Sequence, residues 1–296
     1  MASTVDLREI FADGRHSWSF EFFPPKTDEG ERQLWQTMRE LERLSPTFVS
    51  VTYGAGGTTR DRTVRLTGAI AHDTTLTPVG HLTCVDASVA QLRHVVGAYA
   101  GAGVRTILAL RGDPPGGLDA PWRPHPQGLS HSDELVRLIK DLGDFGVGVA
   151  AFPEGHPESP DLEFDAQMLA RKVDAGADFA VTQFFFEASS YFALVERAGR
   201  HGVEVPIVPG LMPVTNVSQI ERFAELSGAA LPARVRQRLD PVRDDPAAVR
   251  AMGVELATEL AARLLDGGAP GLHFYTLNRS TATQEIYANL DLAHRR

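Results

Sequence analysis

Short apolar runs and longer amphipathic stretches alternate along the 296-residue chain without a break. Runs at 18–22, 48–52, 78–83, 106–111, 147–152, 179–184, 207–211 and 272–277 have the length and composition of strands buried on both faces. Between them lie 29–44, 60–72, 88–102, 133–142, 165–175, 190–201 and 216–226, with 280–288 closing the series. Several of these place apolar residues at i, i+3 and i+4, which predicts helices packed by one face. Glycines at 101, 103, 176 and 202 stand where helix C-termini call for them. Eight such units predict an α/β fold, a single (β/α)8 TIM barrel with extra helix before the last strand, rather than an open doubly wound sheet.

Three segments depart from the rhythm. Residues 1–16 form an N-terminal extension or helix. Residues 114–128, with five prolines and Trp122, follow the fourth strand and are expected to cover the C-terminal face as a Pro-rich loop. Residues 231–268 insert helices, with Asp240-Pro241 and Asp245-Pro246 as breakers. None differs enough in composition to stand apart, so 1–296 reads as one catalytic domain. The stretch Gly54-Ala55-Gly56-Gly57 lacks the third glycine of a dinucleotide fingerprint and is discarded.

Composition narrows the function classes. The chain has 43% hydrophobic and 23% charged residues, a formal net charge of −9, and one cysteine, Cys84. The single cysteine removes an intrachain disulfide and any CxxC metal or redox site. No metal centre is read. The acidic balance without Lys/Arg runs disfavours nucleic acid or an anionic membrane as partner. With no apolar signal core near the start and no run long enough to span a bilayer, the expected location is cytoplasmic.

In a barrel the chemistry sits at the C-terminal ends of the strands. Those ends carry Glu21, Thr52, His81, Asp113, His156, Gln183 and Tyr275. Alternation along each strand puts Glu21 with Ser19, Thr52 with Ser50 and Phe48, Gln183 with Val181, and Tyr275 with His273, so the polar set points inward. Glu21 lies in sequence between Phe20, Phe22 and Phe23, and loss of hydration there is expected to raise its pKa and suit it to general-acid work. The alternative is an ion pair with an Arg or Lys of a neighbouring strand. Arg111-Gly112-Asp113 offers close backbone approach to a ligand, or simply a turn.

Taken together and in order, SFEFFPP, FVSVTYGAGG, HLTC, LRGDPP, AAFPEGHPE, RKVDAGADFAVTQFFF and HFYTLNRS resemble the methylenetetrahydrofolate reductase family over nearly the whole chain. The family consists of flavoproteins that reduce 5,10-methylenetetrahydrofolate to 5-methyltetrahydrofolate. The resemblance is to the bacterial type, a catalytic barrel without the regulatory domain of eukaryotic members. It implies FAD as cofactor, NADH or NADPH as reductant, ping-pong hydride transfer and a homo-oligomer. Glu21 then matches the acid that protonates N10 of the folate. Asp113 matches the aspartate near flavin and pterin, and Gln183 the glutamine that reaches pterin or nicotinamide.

The resemblance also implies that Thr52, His81, Arg111, Gly112, Asp113, His131, Phe152, His156, Asp165 and Lys172 hold FAD, with Lys172 on the pyrophosphate and Asp165 on a ribose hydroxyl. Gln219, Phe223, Tyr275 and Arg279 fall on the substrate side. His131 stands where many members have tyrosine, and Phe152 where some do. Three other readings stay open: a flavin-independent version of the same reduction, a barrel lyase or hydrolase pairing Glu21 with Asp113 or Glu154, and a pterin-binding barrel without redox chemistry.

Overall fold

The computed structural model describes residues 6–53, 57–114, 120–227 and 231–294. Residues 1–5 of the N-terminal extension, 54–56 of the discarded glycine stretch and 115–119 of the Pro-rich loop lie outside these. Eight strands close a barrel in chain order: β1 (Ser17–Phe22), β2 (Phe48–Val51), β3 (Pro78–Thr83), β4 (Thr106–Leu110), β5 (Gly146–Ala151), β6 (Phe179–Phe184), β7 (Ile207–Leu211) and β8 (Gly271–Tyr275). All neighbours are parallel, including the closing β8–β1 pair. This is the (β/α)8 barrel that the alternation predicts.

Helices follow the strands as predicted, within a few residues. They are α1 (Leu7–Ala12), α2 (Asp28–Glu42), α3 (Gly57–Asp73), α4 (Val89–Gly101), α5 (Ser132–Leu142), α6 (Leu162–Asp174), α7 (Ala188–Arg200), α8 (Val217–Ser227), α9 (Ala233–Leu239), α10 (Pro246–Asp266) and α11 (Thr281–Asn289). The extra helices α9 and α10 occupy the stretch expected to carry an insertion. Helix α6 starts three residues earlier than expected because Asp161 caps it, accepting from the Phe164 N–H at 2.7 Å. Thr52, Arg111, Phe152 and Leu277, expected within strands, are instead loop residues beyond the strand ends. There the backbone turns to form the mouth; Leu277, for one, has φ +51°.

Side-chain alternation splits the core into layers. Phe20, Phe22, Val49, Val51, Leu82 and Phe274 point outward and pack with helix residues such as Leu34, Met38 and Ile286. Inside, Phe48, Val79, Leu108, Phe179 and Val181 fill one end of the barrel, where Leu7 and Ile10 of α1 meet them. A six-residue helix has no stability of its own. Burying these two side chains contributes about 1.5–3 kcal/mol each, which holds α1 in place. A separate apolar cluster joins Phe184 and Phe186 to Val217, Ile220 and Ala224 of α8, and to residues of α9 and α10. The inserted helices thus support the mouth beside β6 and β7.

Candidate active site

The register of β8, β1 and β2 sets Glu21 between Tyr275 and Ser50, and Ser19 between His273 and Phe48. Inward-facing polar groups are therefore stacked in two adjacent layers. The Oε2 atom of Glu21 is 3.3 Å from the Ser50 hydroxyl, 3.3 Å from His273 Nε2 and 3.4 Å from His81 Nε2. The Glu21 side chain keeps 16% exposure, whereas His81 and His273 are buried. The backbone of Glu21 is held too: its carbonyl accepts from the Thr276 hydroxyl at 2.7 Å. Two residues on, Asn278 donates its amide to the Phe23 carbonyl and accepts from the Phe23 N–H, at 2.8 and 3.0 Å.

This geometry corrects the electrostatic expectation for Glu21. Burial does push its carboxyl upward, but the facing imidazoles of His81 and His273 and the Ser50 hydroxyl outweigh burial, and the net direction is down. Phe20 and Phe22 are chain neighbours that face the helix layer, so they are not the surroundings of the carboxylate. Nor, among the described residues, is its partner an Arg or Lys; two histidines face it instead. Burial lowers the His81 pKa, against the attraction of Glu21. It raises Tyr275 well above the usual phenol range, and the Tyr275 hydroxyl donates to the Thr182 carbonyl at 2.7 Å.

A second group of charged residues lies at the ends of β4 and β5 and along α6. Lys172 is buried, and its Nζ donates to the Ala150 carbonyl at 2.9 Å while lying 5.8 Å from the centre of the Phe152 ring. Burial lowers its pKa to about 8, despite attraction from Asp165 and Asp133. Asp165, two turns earlier on the same face of α6, accepts from the His156 N–H at 2.8 Å and the Ser159 hydroxyl at 2.6 Å, and so fixes the loop after β5. Phe152 meets His156 edge to face at 4.9 Å between centroids. Burial and the charge of Arg111 hold the His156 pKa down.

Arg111 follows β4. Its guanidinium pairs with Glu158 at 2.5 Å and lies 5.0 Å over the Trp122 ring, whose N–H donates to the Gly112 carbonyl at 3.0 Å. Gly112 has φ +83°, and a Cβ there would meet Val85 and Thr83 at 2.7 and 2.8 Å, so no other residue fits. Trp122, in the described part of the Pro-rich loop, thus packs against Arg111.

The remaining candidates are more loosely placed. Gln183 and Phe152 line one small cleft with Phe184 and Ser227. Thr52 is half-buried, directly after β2; its carbonyl accepts from Thr63. Phe223 is half-buried against the α8 cluster, beside which Tyr275 also packs. Asp113, His131, Gln219 and Arg279 are exposed. His131 precedes α5, and its N–H donates to Glu134. Glu154 accepts from Ser190 at 3.3 Å. Sequence reading left out Ser19, Ser50 and His273 as site residues, although strand parity had already turned them inward. Ser50 reaches Glu21 through the β1–β2 register, and His273 through barrel closure, which brings chain positions some 250 residues apart into contact.

The sequence matches the family model described as Methylenetetrahydrofolate reductase over residues 6–291. The chain is 41% identical to 5,10-methylenetetrahydrofolate reductase of Escherichia coli over 285 residues, 96% of this chain and 93% of that protein. It is 35% identical to Methylenetetrahydrofolate reductase (NADH) 1 of Arabidopsis thaliana, covering 97% of this chain and 50% of the plant protein. Among solved structures, an uncharacterised Clostridium thermocellum protein described as binding two copies of 5-methyl-5,6,7,8-tetrahydrofolic acid shares the fold. Its TM-score is 0.62 over 97% of both chains, at 15% identity. A model match over almost the full length, together with 41% identity to a bacterial relative, shows that this chain belongs to the methylenetetrahydrofolate reductase family.

Proposed function

We propose that this protein reduces 5,10-methylenetetrahydrofolate to 5-methyltetrahydrofolate with NADH, using FAD held across the barrel mouth. The observation that carries the reading is a pairing of two kinds of group around that mouth. On one side is a nearly buried carboxylate with a single oxygen tied down. On the other is a buried ammonium whose one hydrogen-bond partner among the described residues is the Ala150 carbonyl. NADH is favoured over NADPH by the names of the plant relatives.

The residues present fit a flavin dinucleotide. Lys172 has donor capacity beyond its bond to Ala150, which suits a pyrophosphate. Gly112 leaves backbone open where a Cβ could not go. Thr83 Oγ1 is buried without a hydrogen-bond partner among the described residues, a polar atom available at the end of β3. Arg111, His156, Asp165, Thr52, His81 and the Phe152 ring complete the cradle. When bound, FAD would take a hydride from NADH and pass it to the exocyclic methylene carbon of the folate.

The protein's own part is narrower. Glu21 donates a proton to N10, which opens the imidazolidine ring. The negative charge of Asp113 at the mouth stabilises the cation that results. Gln183, Phe223 and Tyr275 grip the nicotinamide and then the pterin on one shared face, which makes the kinetics ping-pong. Phe184 and Tyr275 form an apolar wall that limits water near the reacting carbon. The test is optical. The purified protein should be yellow, bleach with NADH under anaerobic conditions, and recolour on adding methylenetetrahydrofolate. A colourless protein that stays inactive with added FAD removes the flavin reading. One that is colourless but active supports the flavin-independent version.

A further inference from the structure

We propose that Ser19 and His273 form a tautomer lock beneath Glu21, holding Oε2 so that Oε1 is the oxygen that exchanges a proton with the folate. Ser19 and His273 are neighbours in the β1–β8 register and are both fully inside the barrel. The Ser19 hydroxyl is 2.8 Å from His273 Nδ1, and the opposite ring nitrogen, Nε2, is 3.3 Å from Glu21 Oε2. A neutral imidazole carries one N–H. A carboxylate oxygen can only accept, so the proton belongs on Nε2, and the bare Nδ1 then accepts from Ser19. The other tautomer would set two lone pairs against each other at Oε2. The ring has little freedom to turn: Phe48 stacks on it at 5.8 Å, and Tyr275 meets it edge-on at 5.3 Å between centroids. The serine hydroxyl's other neighbour, the Leu272 carbonyl, is farther away at 3.4 Å.

The consequence is an asymmetric carboxyl. The groups that face Glu21 are Ser50 of β2, His81 of β3, and His273 and Tyr275 of β8; the first three gather at Oε2. In the proton transfer, the Oε1–H bond breaks and the N10–H bond forms. The electron pair stays on the carboxylate, where Oε2 is already met by donors. Ser19 is therefore a positioning residue, acting through His273 on the acid, and this role rests on the folate reduction proposed above.

The test uses the pH dependence of kcat/KM for methylenetetrahydrofolate at saturating NADH, which reports the ionisation of the enzyme form that meets the folate. The working form of Glu21 is protonated, a form its ligand-free surroundings disfavour, so activity falls as pH rises through a pKa held below the usual carboxylate range. Ser19→Ala weakens the donor to the carboxylate and raises that pKa. The high-pH limb should move upward by about half a unit to one unit, the equivalent of one hydrogen bond. In a His273→Gln background the amide still donates to Oε2 but has no tautomer to set. Adding Ser19→Ala there should shift nothing, whereas a packing role for Ser19 would shift both backgrounds alike.

A second measurement needs no activity. In protein labelled with 15N-histidine, the ring signal missing from the His273→Gln variant should show a protonated Nε2 and an accepting Nδ1. A protonated Nδ1 overturns the lock, as does an unmoved limb in Ser19→Ala or the same shift in both backgrounds. A wild-type protein with no folate reduction at all overturns the functional reading, and the role of the lock with it.

Discussion

The two sides of the barrel mouth treat buried charge in opposite ways. Around Glu21, on β8, β1, β2 and β3, burial is outweighed by groups the protein itself supplies, and the carboxylate is favoured. Around Lys172, at the end of β5, burial wins over the acids nearby, and the ammonium is disfavoured, with its pKa near 8. On the first side the protein's own groups already face one oxygen of the carboxylate. The second carries a cation whose hydrogen bonding is met, among the described residues, by Ala150 alone. A site that must move a proton gains from an environment that changes little as charge shifts. A site that must retain an anion gains from a charge left waiting for it.

Breaking the first side should have the largest effect. Glu21→Gln keeps an oxygen that can accept from Ser50 and His273 but has no proton to donate. Folate reduction should fall about 10²–10⁴-fold, the usual range for a general acid. Reduction of the flavin by NADH involves no proton from this residue and should stay within about twofold. Stopped-flow absorbance of the two half-reactions separates them. Equal losses in both would make Glu21 structural.

Breaking the second side should have a smaller effect on function and an opposite one on stability. Lys172→Met should weaken FAD binding about ten- to a hundredfold, the worth of one charge-assisted hydrogen bond. It should also stabilise the ligand-free protein by about 2 kcal/mol at pH 7, since it removes a charge whose burial is unfavourable but orphans the Ala150 carbonyl. The sign follows from linkage. The folded lysine has a pKa near 8, below its ordinary 10.5, so the unfolded chain binds the proton more tightly. The penalty in the native protein is full below about pH 8 and fades as pH rises toward 10.5. The variant's advantage in urea unfolding should shrink over that range; an advantage that stays constant with pH would mean that packing, not charge, is the cause. An anion bound to Lys172 favours its charged form, so FAD binding near pH 8 should take up protons. Calorimetry in buffers of different ionisation enthalpy measures that uptake.

How much of this was legible in the sequence differs between the two sides for a physical reason. The barrel itself was readable because each strand is a continuous apolar run and each helix an amphipathic one, both local patterns. Strand parity correctly turned Glu21, Ser50, His273 and Tyr275 inward. It could not say which of them touch, because that depends on register between strands at opposite ends of the chain. The same parity puts Phe20 and Phe22 on the outer face, away from the Glu21 carboxylate; reading them nonetheless as its surroundings produced the wrong direction for its pKa. On the other side, the helical period predicted the helix, but only the family resemblance pointed to Asp165 and Lys172, and both are buried on α6. That Asp165 would hold the loop after β5 depended on the path of residues 153–159, which contain no periodic signal.

The smallest effect should come from the residue that bridges loop and cradle. Trp122 lies beneath the Arg111 guanidinium and donates to the Gly112 carbonyl, while Glu158 pairs with the same guanidinium from the next loop. A partly exposed cation–π contact is worth about 0.5–1 kcal/mol, and the indole hydrogen bond about 1 kcal/mol. Both act on residues that the cofactor is proposed to touch, not on the cofactor itself, so only part of this should reach binding. Trp122→Ala should release FAD about three- to fivefold faster, a figure that assumes roughly half of the contact energy is transmitted. Trp122→Phe separates the two contributions, since it keeps a ring under Arg111 and loses the N–H. If Phe restores the native release rate, stacking orients the arginine; if it behaves like Ala, the bond to Gly112 sets the turn. With the ring gone, Arg111 depends more on its exposed pair with Glu158, which salt screens. Release from Trp122→Ala should therefore speed up with added salt more steeply than release from the wild type, and parallel salt dependences would show that the loop covers Arg111 without orienting it.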